Sequence, residues 1–175
     1  EVQALWTPKT TLKHLDAPPE QLLEDLAKST QLANQSFSFA GKFQLQKVLA
    51  QGGMGIVHLA RDPEMDRPVA IKMLLPYLRH HPEAESRFLR EARITGQLQH
   101  PGIPPIYEIG RLADQTPYFA MKLIAGRTLA EMIRDRQSLP SSVRVLSLFE
   151  QICQTVAYAH NQKTIHRDLK PSNIM

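Results

Sequence analysis

The stretch LAQGGMGIV, Leu49 to Val57, narrows the possible folds more than any other part of this sequence. Glycines at 52, 53 and 55 allow a tight turn in which the backbone approaches a ligand closely and points N–H groups at phosphate oxygens. Its flanks are the constraint. FQLQKVLA before it alternates, and IVHLARD after it is rich in apolar and β-branched residues, so both sides read as strands. A Walker A loop or a dinucleotide-binding turn would open a helix instead, and both are excluded. Taken alone, the turn also fits an ordinary hairpin.

The rest of the chain follows a readable order. Asp62-Pro63 through Asp66 forms a turn into PVAIKML, a third strand. Pro82-Glu83 opens a helix, EAESRFLREARITGQL, with Ala84, Phe88, Ala92 and Leu98 along one side and Leu89 and Ile94 nearby. PPIYEIGRL and TPYFAMKLI are two more strands around Asp114-Gln115. The period then becomes helical. Thr128–Arg136 is a short helix and Ser141–Asn161 a long one, with Val145, Phe149, Ile152, Val156 and Ala159 at helical spacing. Leu146, Leu148 and Cys153 widen that face until the helix is apolar nearly all round, which predicts burial on several sides.

Residues 1–36 form a separate unit. Trp6-Thr7-Pro8 and Ala17-Pro18-Pro19 read as extended or turn segments, and EQLLEDLAKSTQLA as a short amphipathic helix. A linker or brace is the expected role, with a regulatory docking segment as the alternative. This unit holds three Lys against five Asp or Glu, −2, so the remaining residues carry +6 of the net +4. A mild basic excess suits an anionic ligand such as a nucleotide. Nucleic-acid binding is not expected, since no dense Lys/Arg stripe with interleaved aromatics is present.

One cysteine, Cys153, rules out an internal disulfide and suits a reducing compartment, so the cytoplasm is the expected location. No apolar run approaches the length of a membrane span, and no signal-peptide pattern opens the chain. Without an initiating Met, the chain is expected to be a piece of a longer protein.

Val69-Ala70-Ile71-Lys72 places a lysine on a buried-looking strand, 17 residues after Gly55. A core ammonium is costly unless paired or bound to an anion, and Glu91 on the following helix is its natural partner. The chain then closes on HRDLKPSN, His166 to Asn173. With the glycine turn, VAIK, the helix Glu and HRD…N in this order, the sequence resembles the eukaryotic-like protein kinases, from about Phe43 to Met175. GGMG, HPGIPPIYEIG and AMKLIAGRTLAEMI look most like the bacterial Ser/Thr enzymes.

The resemblance implies an α+β, protein-kinase-like fold. It would have a five-stranded antiparallel N-lobe sheet with one main helix over residues 37–123, then a hinge and the beginning of a helical C-lobe over 124–175. It implies ATP, Mg²⁺ and protein substrates with Ser/Thr acceptors. Leu49, Ala50, Gln51, Gly52, Gly53, Met54, Gly55, Ile56 and Val57 would cover the nucleotide. Ala70 would roof the adenine slot and Met175 floor it; Met121 would be its gatekeeper, with the backbone of Lys122 and Ile124 at the adenine edge. Lys72, held by Glu91, would contact the α- and β-phosphates. Asp168 would accept or orient the substrate hydroxyl proton, Lys170 would offset phosphoryl charge, and Asn173 would ligate a Mg²⁺. Arg167 resembles the arginine that meets a phosphorylated activation loop.

Ala50 stands where the family usually has its first loop glycine, so modestly altered nucleotide affinity is expected. His58 is read as structural, His166 as a packed, hydrogen-bonded core histidine, His80-His81 as loop surface and Cys153 as a small core residue. The leading function is a Ser/Thr protein kinase. A non-catalytic nucleotide-binding or scaffolding module is the alternative. An aminoglycoside-phosphotransferase-like enzyme is disfavoured by Arg167 and Lys170-Pro171. Because the sequence stops before a DFG motif, the 175-residue chain itself is expected to be inactive and to self-associate through its apolar helix.

Overall fold

A computed structural model describes residues 39–135 and 142–175; the amphipathic helix expected near residue 20 lies outside them. Six strands form one antiparallel sheet: β1 (Phe39–Ala40), β2 (Phe43–Gln51), β3 (Gly55–Asp62), β4 (Arg67–Leu74), β5 (Ile106–Arg111) and β6 (Pro117–Lys122), in the order β1-β2-β3-β4-β6-β5. Five were expected. The sixth is β1, which pairs Ala40 with Phe43 across a Gly41-Lys42 turn; two residues are too few to show a period. Gly41 supplies the left-handed φ of +59° that this turn requires.

β4 lies inside the sheet, and Val69, Ala70, Ile71 and Lys72 are all buried, which explains why VAIK reads as an unbroken rather than an alternating segment. One core cluster joins Leu49, Val57, Ala70, Leu74 and Met121 to Phe88 and Ala92. The last two come from helix α1 (Pro82–Gln97), which starts with Pro at its first turn and Glu83 and Glu85 against the positive end of its dipole. A second cluster joins Phe43, Ala60, Val69, Ile71, Tyr118 and Ala120.

Tyr118 explains two glycines. A Cβ at Gly110 would lie 2.5 Å from the tyrosine ring, and one at Gly41 would meet its hydroxyl. That hydroxyl donates to Glu108 Oε1 at 2.9 Å, and burial together with this carboxylate pushes its pKa up to about 12. Gly110→Ala is expected to destabilise the sheet by about 1–3 kcal/mol through overpacking. Chemical denaturation checks this, and the loss should largely disappear in a Tyr118→Ala background. A full-sized loss in that background would mean the ring is not the obstacle.

His58 on β3 is half-buried, and burial pushes its pKa below 6.5. As pH falls below 6.5 the unfolded chain takes up the proton first, so stability decreases until the lowered native value is passed. His58→Leu is expected to flatten the dependence of Tm on pH between about 7 and 5. An unchanged slope would remove His58 as its source.

Among the described residues, two α-helices follow the sheet. Helix α2 (Leu129–Arg134) begins on a capping box in which Thr128 and Glu131 bond each other's backbone N–H. Helix α3 (Ser142–Asn161) packs Ala159 on Leu98 and Ile103, and Gln99 N–H donates to Tyr158 Oη at 2.9 Å. The described residues do not bury α3 on several sides. Only Thr155 and Ala159 are buried, while Leu146 (68%) and Phe149 (62%) are exposed. Cys153 is exposed too, not a core residue. Among the described residues, segment 98–103 and the cluster around Ile174 are what packs on α3, and they cover one strip of it. Among the described residues, no helix is long and apolar enough to cross a membrane.

Candidate active site

The glycine turn joins β2 to β3. Gly52 N–H donates to Gly55 O at 2.8 Å, and Leu75 N–H to Met54 O at 3.1 Å, fastening the turn to the end of β4. Gly55 faces Leu74 across the register; a Cβ there would come within 2.9 Å of Met73 O and 3.1 Å of Lys72 Cε. Glycine is therefore required first by the close approach of the Met73 carbonyl, and the Lys72 side chain crowds the same space. The left-handed glycines of the chain are Gly41 and Gly126 instead. Ala50 is buried within β2, paired with Val57, and has no positive φ that would demand glycine. Gln51 pairs with Ile56 at the mouth of the turn.

Gly55→Val is expected to displace Lys72 and weaken nucleotide binding by about 10- to 100-fold, as a shift on the ångström scale does. Titration with a fluorescent ATP analogue measures this, and wild-type affinity would show that the lysine needs no such room.

Lys72 is fully buried on β4 and its Nζ donates to Glu91 Oε1 of α1 at 2.9 Å. The ammonium also lies 5.6 Å from the Phe119 ring centre and 5.8 Å from that of Phe88. Glu91 keeps 24% of its side chain exposed, so the pair stands at the edge of the core with a wet side. Desolvation offsets much of such a pair's Coulomb attraction, so its main effect is to aim the ammonium rather than to stabilise the fold.

Around this pair, Leu49, Val57, Ala70 and Met121 belong to one apolar cluster, and Ala70 lies opposite Met121 in register. Ile124 is buried just beyond. Lys122 N–H is taken up by Pro105 O at 3.1 Å, so the backbone group it can offer a ligand is its carbonyl. A cavity of about 460 Å³ borders Lys122 and Ile124 but is lined otherwise by Leu98, His100, Ile103 and their neighbours; it does not include Lys72 or the glycine turn.

The second group of residues sits on the loop after α3. Lys170 Nζ lies 3.2 Å from Asp168 Oδ2. Asn173, buried in a 3₁₀ turn (Pro171–Asn173), donates from Nδ2 to Asp168 O at 2.9 Å and to its Oδ2 at 3.3 Å. Asp168 N–H donates to His166 Nδ1 at 3.2 Å. His166 is hydrogen-bonded as expected but half-buried rather than enclosed in the core. Arg167 between them has φ +64°, a strained conformation for a bulky residue that persists only where its surroundings over-determine it. Leu129 N–H donates to Ile174 O at 2.8 Å, tying the loop's end to α2, and Met175 is half-buried beside it.

The Asn173 amide nitrogen donates to Asp168 and its oxygen, Oδ1, is buried close by; the chemistry of a hard oxygen donor beside a carboxylate fits Mg²⁺. Among the described residues no three His, Cys, Asp or Glu converge on a metal site, and His80-His81 is exposed loop. The fold thus assembles Lys72, Glu91 and Gly55 in one cluster and Asp168, Lys170 and Asn173 in another. Sequence reasoning missed what braces them: Tyr158 on Gln99, and the ion pairs of Glu85 with Arg111 and Arg79 with Asp114. These partners are far apart in sequence and carry no local motif.

Residues 43–175 match the family described as protein kinase domain. The serine/threonine-protein kinase PknD of Protochlamydia amoebophila is 43% identical over 144 residues, covering 76% of this chain and 15% of that protein. PrkC of Bacillus subtilis, another serine/threonine-protein kinase, is 39% identical over 136 residues, 78% of this chain and 21% of that one. This chain therefore spans a fifth or less of the PknD relative's length. Among solved structures, the Mycobacterium tuberculosis PknI kinase domain superposes with a TM-score of 0.63 at 26% identity, covering 80% of this chain and 56% of that one.

Proposed function

This chain belongs to the protein kinase domain family, and from that premise we propose that it supplies the nucleotide-binding lobe and catalytic loop of an enzyme that transfers the γ-phosphate of MgATP to Ser or Thr hydroxyls of proteins. The observation that carries the reading is the buried Lys72 held on Glu91 beside Gly55, on the same chain as an Asp168–Lys170–Asn173 cluster.

Each group has a task in this reading. The glycine turn covers the phosphates with backbone N–H groups, and Lys72 contacts the α- and β-phosphates with its ammonium aimed by Glu91. Leu49, Val57, Ala70, Met121 and Met175 enclose the adenine, and its edge meets the Lys122 carbonyl and the Ile124 backbone. Asp168 Oδ orients the acceptor hydroxyl and takes its proton. Lys170, already 3.2 Å from that carboxylate, offsets charge on the transferring group. Asn173 would hold Mg²⁺ through its amide oxygen, and the ion would neutralise phosphate charge. A lysine two residues after the aspartate supports Ser/Thr over Tyr as the acceptor. The cytoplasm, where ATP is plentiful and Cys153 stays reduced, is the compartment this reading requires.

The test is to incubate the natural-length protein with γ-labelled ATP, Mg²⁺ and a mixed-acceptor protein, then hydrolyse the product. Phosphoserine and phosphothreonine are expected. Phosphotyrosine alone, or no label on protein, would overturn the reading.

A further inference from the structure

Phe88, Ala92 and Thr95 bury one side of α1, but all three lie in its middle and last turns. Its first turn has no buried residue, so apolar packing alone leaves that end free to swing. Two ion pairs reach it from one place, the turn between β5 and β6. Arg111, the last residue of β5, pairs through Nη2 with Glu85 in the first turn of α1. Asp114 in the turn pairs with Arg79, three residues before the helix begins.

The turn itself is braced. Leu112 N–H donates to Thr116 O at 2.9 Å, Gln115 N–H to Leu112 O at 3.0 Å, and Arg111 Nη1 to Gln115 O at 2.9 Å. Asp114 also accepts Thr116 N–H at 3.0 Å, and hydrogen bonds from Thr116, then Arg79, hold its carboxyl below the usual range. It thus stays charged through neutral and mildly acidic pH. Glu85 and Glu91 lie six residues apart on α1, about 9 Å along its axis. A tilt or rotation of the first turn therefore carries Glu91 with it.

We propose that the β5–β6 turn is an ionic clasp that sets the azimuth of α1, with Arg111 and Asp114 as positioning residues that keep Glu91 on Lys72. The proposal rests on the kinase reading for its catalytic consequence, not for its geometry. Nothing in it requires either residue to touch a ligand. Each pair is partly exposed and worth only a few-fold alone. Two pairs on one rigid turn act on the same end of the same helix, and reversing a charge adds repulsion to the loss.

The test uses the natural-length protein with Arg111→Glu, Glu85→Arg and the two combined, plus the milder Arg111→Gln in case a reversal impairs folding. Hydrogen exchange along residues 84–91 reads the clasp without catalysis. It is expected to quicken by about 5-fold or more in Arg111→Glu, less in Arg111→Gln, and to return towards wild type in the exchanged pair. Unchanged exchange in both single variants, or no recovery in the exchanged pair, would overturn the clasp.

The link to Lys72 is read in kcat for phosphotransfer. Arg111→Glu is expected to lower kcat about 5-fold in the wild-type background but less than 2-fold in a Glu91→Gln background, because contacting groups couple and independent ones add. Equal losses in both backgrounds would show that the effect does not pass through Glu91. A wild-type protein without phosphotransfer would sink the kinase reading, while the exchange result would still decide the clasp.

Discussion

Asp168→Asn is expected to lower phosphotransfer by about 10²- to 10⁴-fold, the range for removing a positioned general base. The substitution keeps the volume and one acceptor oxygen of the side chain. Its hydrogen bonds with Asn173 and Lys170 change character, because both donate to the carboxylate. The backbone is expected to hold, since Asp168 O still accepts from Asn173 Nδ2 and Asp168 N–H still donates to His166. Nucleotide affinity should therefore move by less than about 3-fold, because in the proposed reading the carboxylate serves the acceptor hydroxyl rather than the phosphates. Steady-state kinetics together with an ATP-analogue titration separate the two quantities. A variant that loses binding as much as turnover would show that Asp168 builds the pocket and does not act in the transfer step.

Lys72→Met is expected to be the other large effect, a loss of about 10²- to 10³-fold in kcat, as for removing one preorganised donor to developing charge. Methionine fits the space. The Phe88 and Phe119 rings lie close by, and volume-conserving swaps are tolerated best. Glu91 is left without the ammonium, but its exposed quarter allows rehydration, so the stability loss should be about 1–2 kcal/mol and not the larger cost of an orphaned buried charge. Thermal denaturation and kinetics on the same samples check both parts. Near-wild-type turnover in a folded Lys72→Met protein would remove the lysine from the phosphate site.

The readable parts of this chain were those with a local signal. Strand and helix existence followed from period, and the boundaries differ from the expected ones by only a few residues: Phe43–Gln51 against FQLQKVLA, Leu129–Arg134 against Thr128–Arg136. The Lys72–Glu91 contact was legible because a buried ammonium needs an anion and the next helix offered one. β1 was not legible, since a two-residue strand has no period and is defined by its partner, Phe43.

The exposure of Cys153 on α3 was not legible for a related reason. Periodicity reports which faces are apolar, not what lies against them: Cys153, expected in a core, is exposed, while the exposed Phe149 and Leu146 agree with a helix whose apolar face is left for a partner to cover. The bracing ion pairs escaped because Glu85 and Arg111 are ordinary surface residues until the fold brings them together. Gly110 was equally silent: its requirement is the Tyr118 ring on the neighbouring strand.

The most direct test of the central claim is a single-turnover measurement on the natural-length protein. Enzyme in excess would be mixed with γ-labelled ATP and Mg²⁺ in the presence of a Ser/Thr acceptor peptide, for wild type and Asp168→Asn in parallel. Label should pass to the peptide hydroxyl with wild type and stay on ATP with the variant, although both bind the nucleotide. Transfer at equal rates in the two proteins, or none from a wild type saturated with MgATP, would contradict the assignment of this loop and this lysine to phosphoryl transfer.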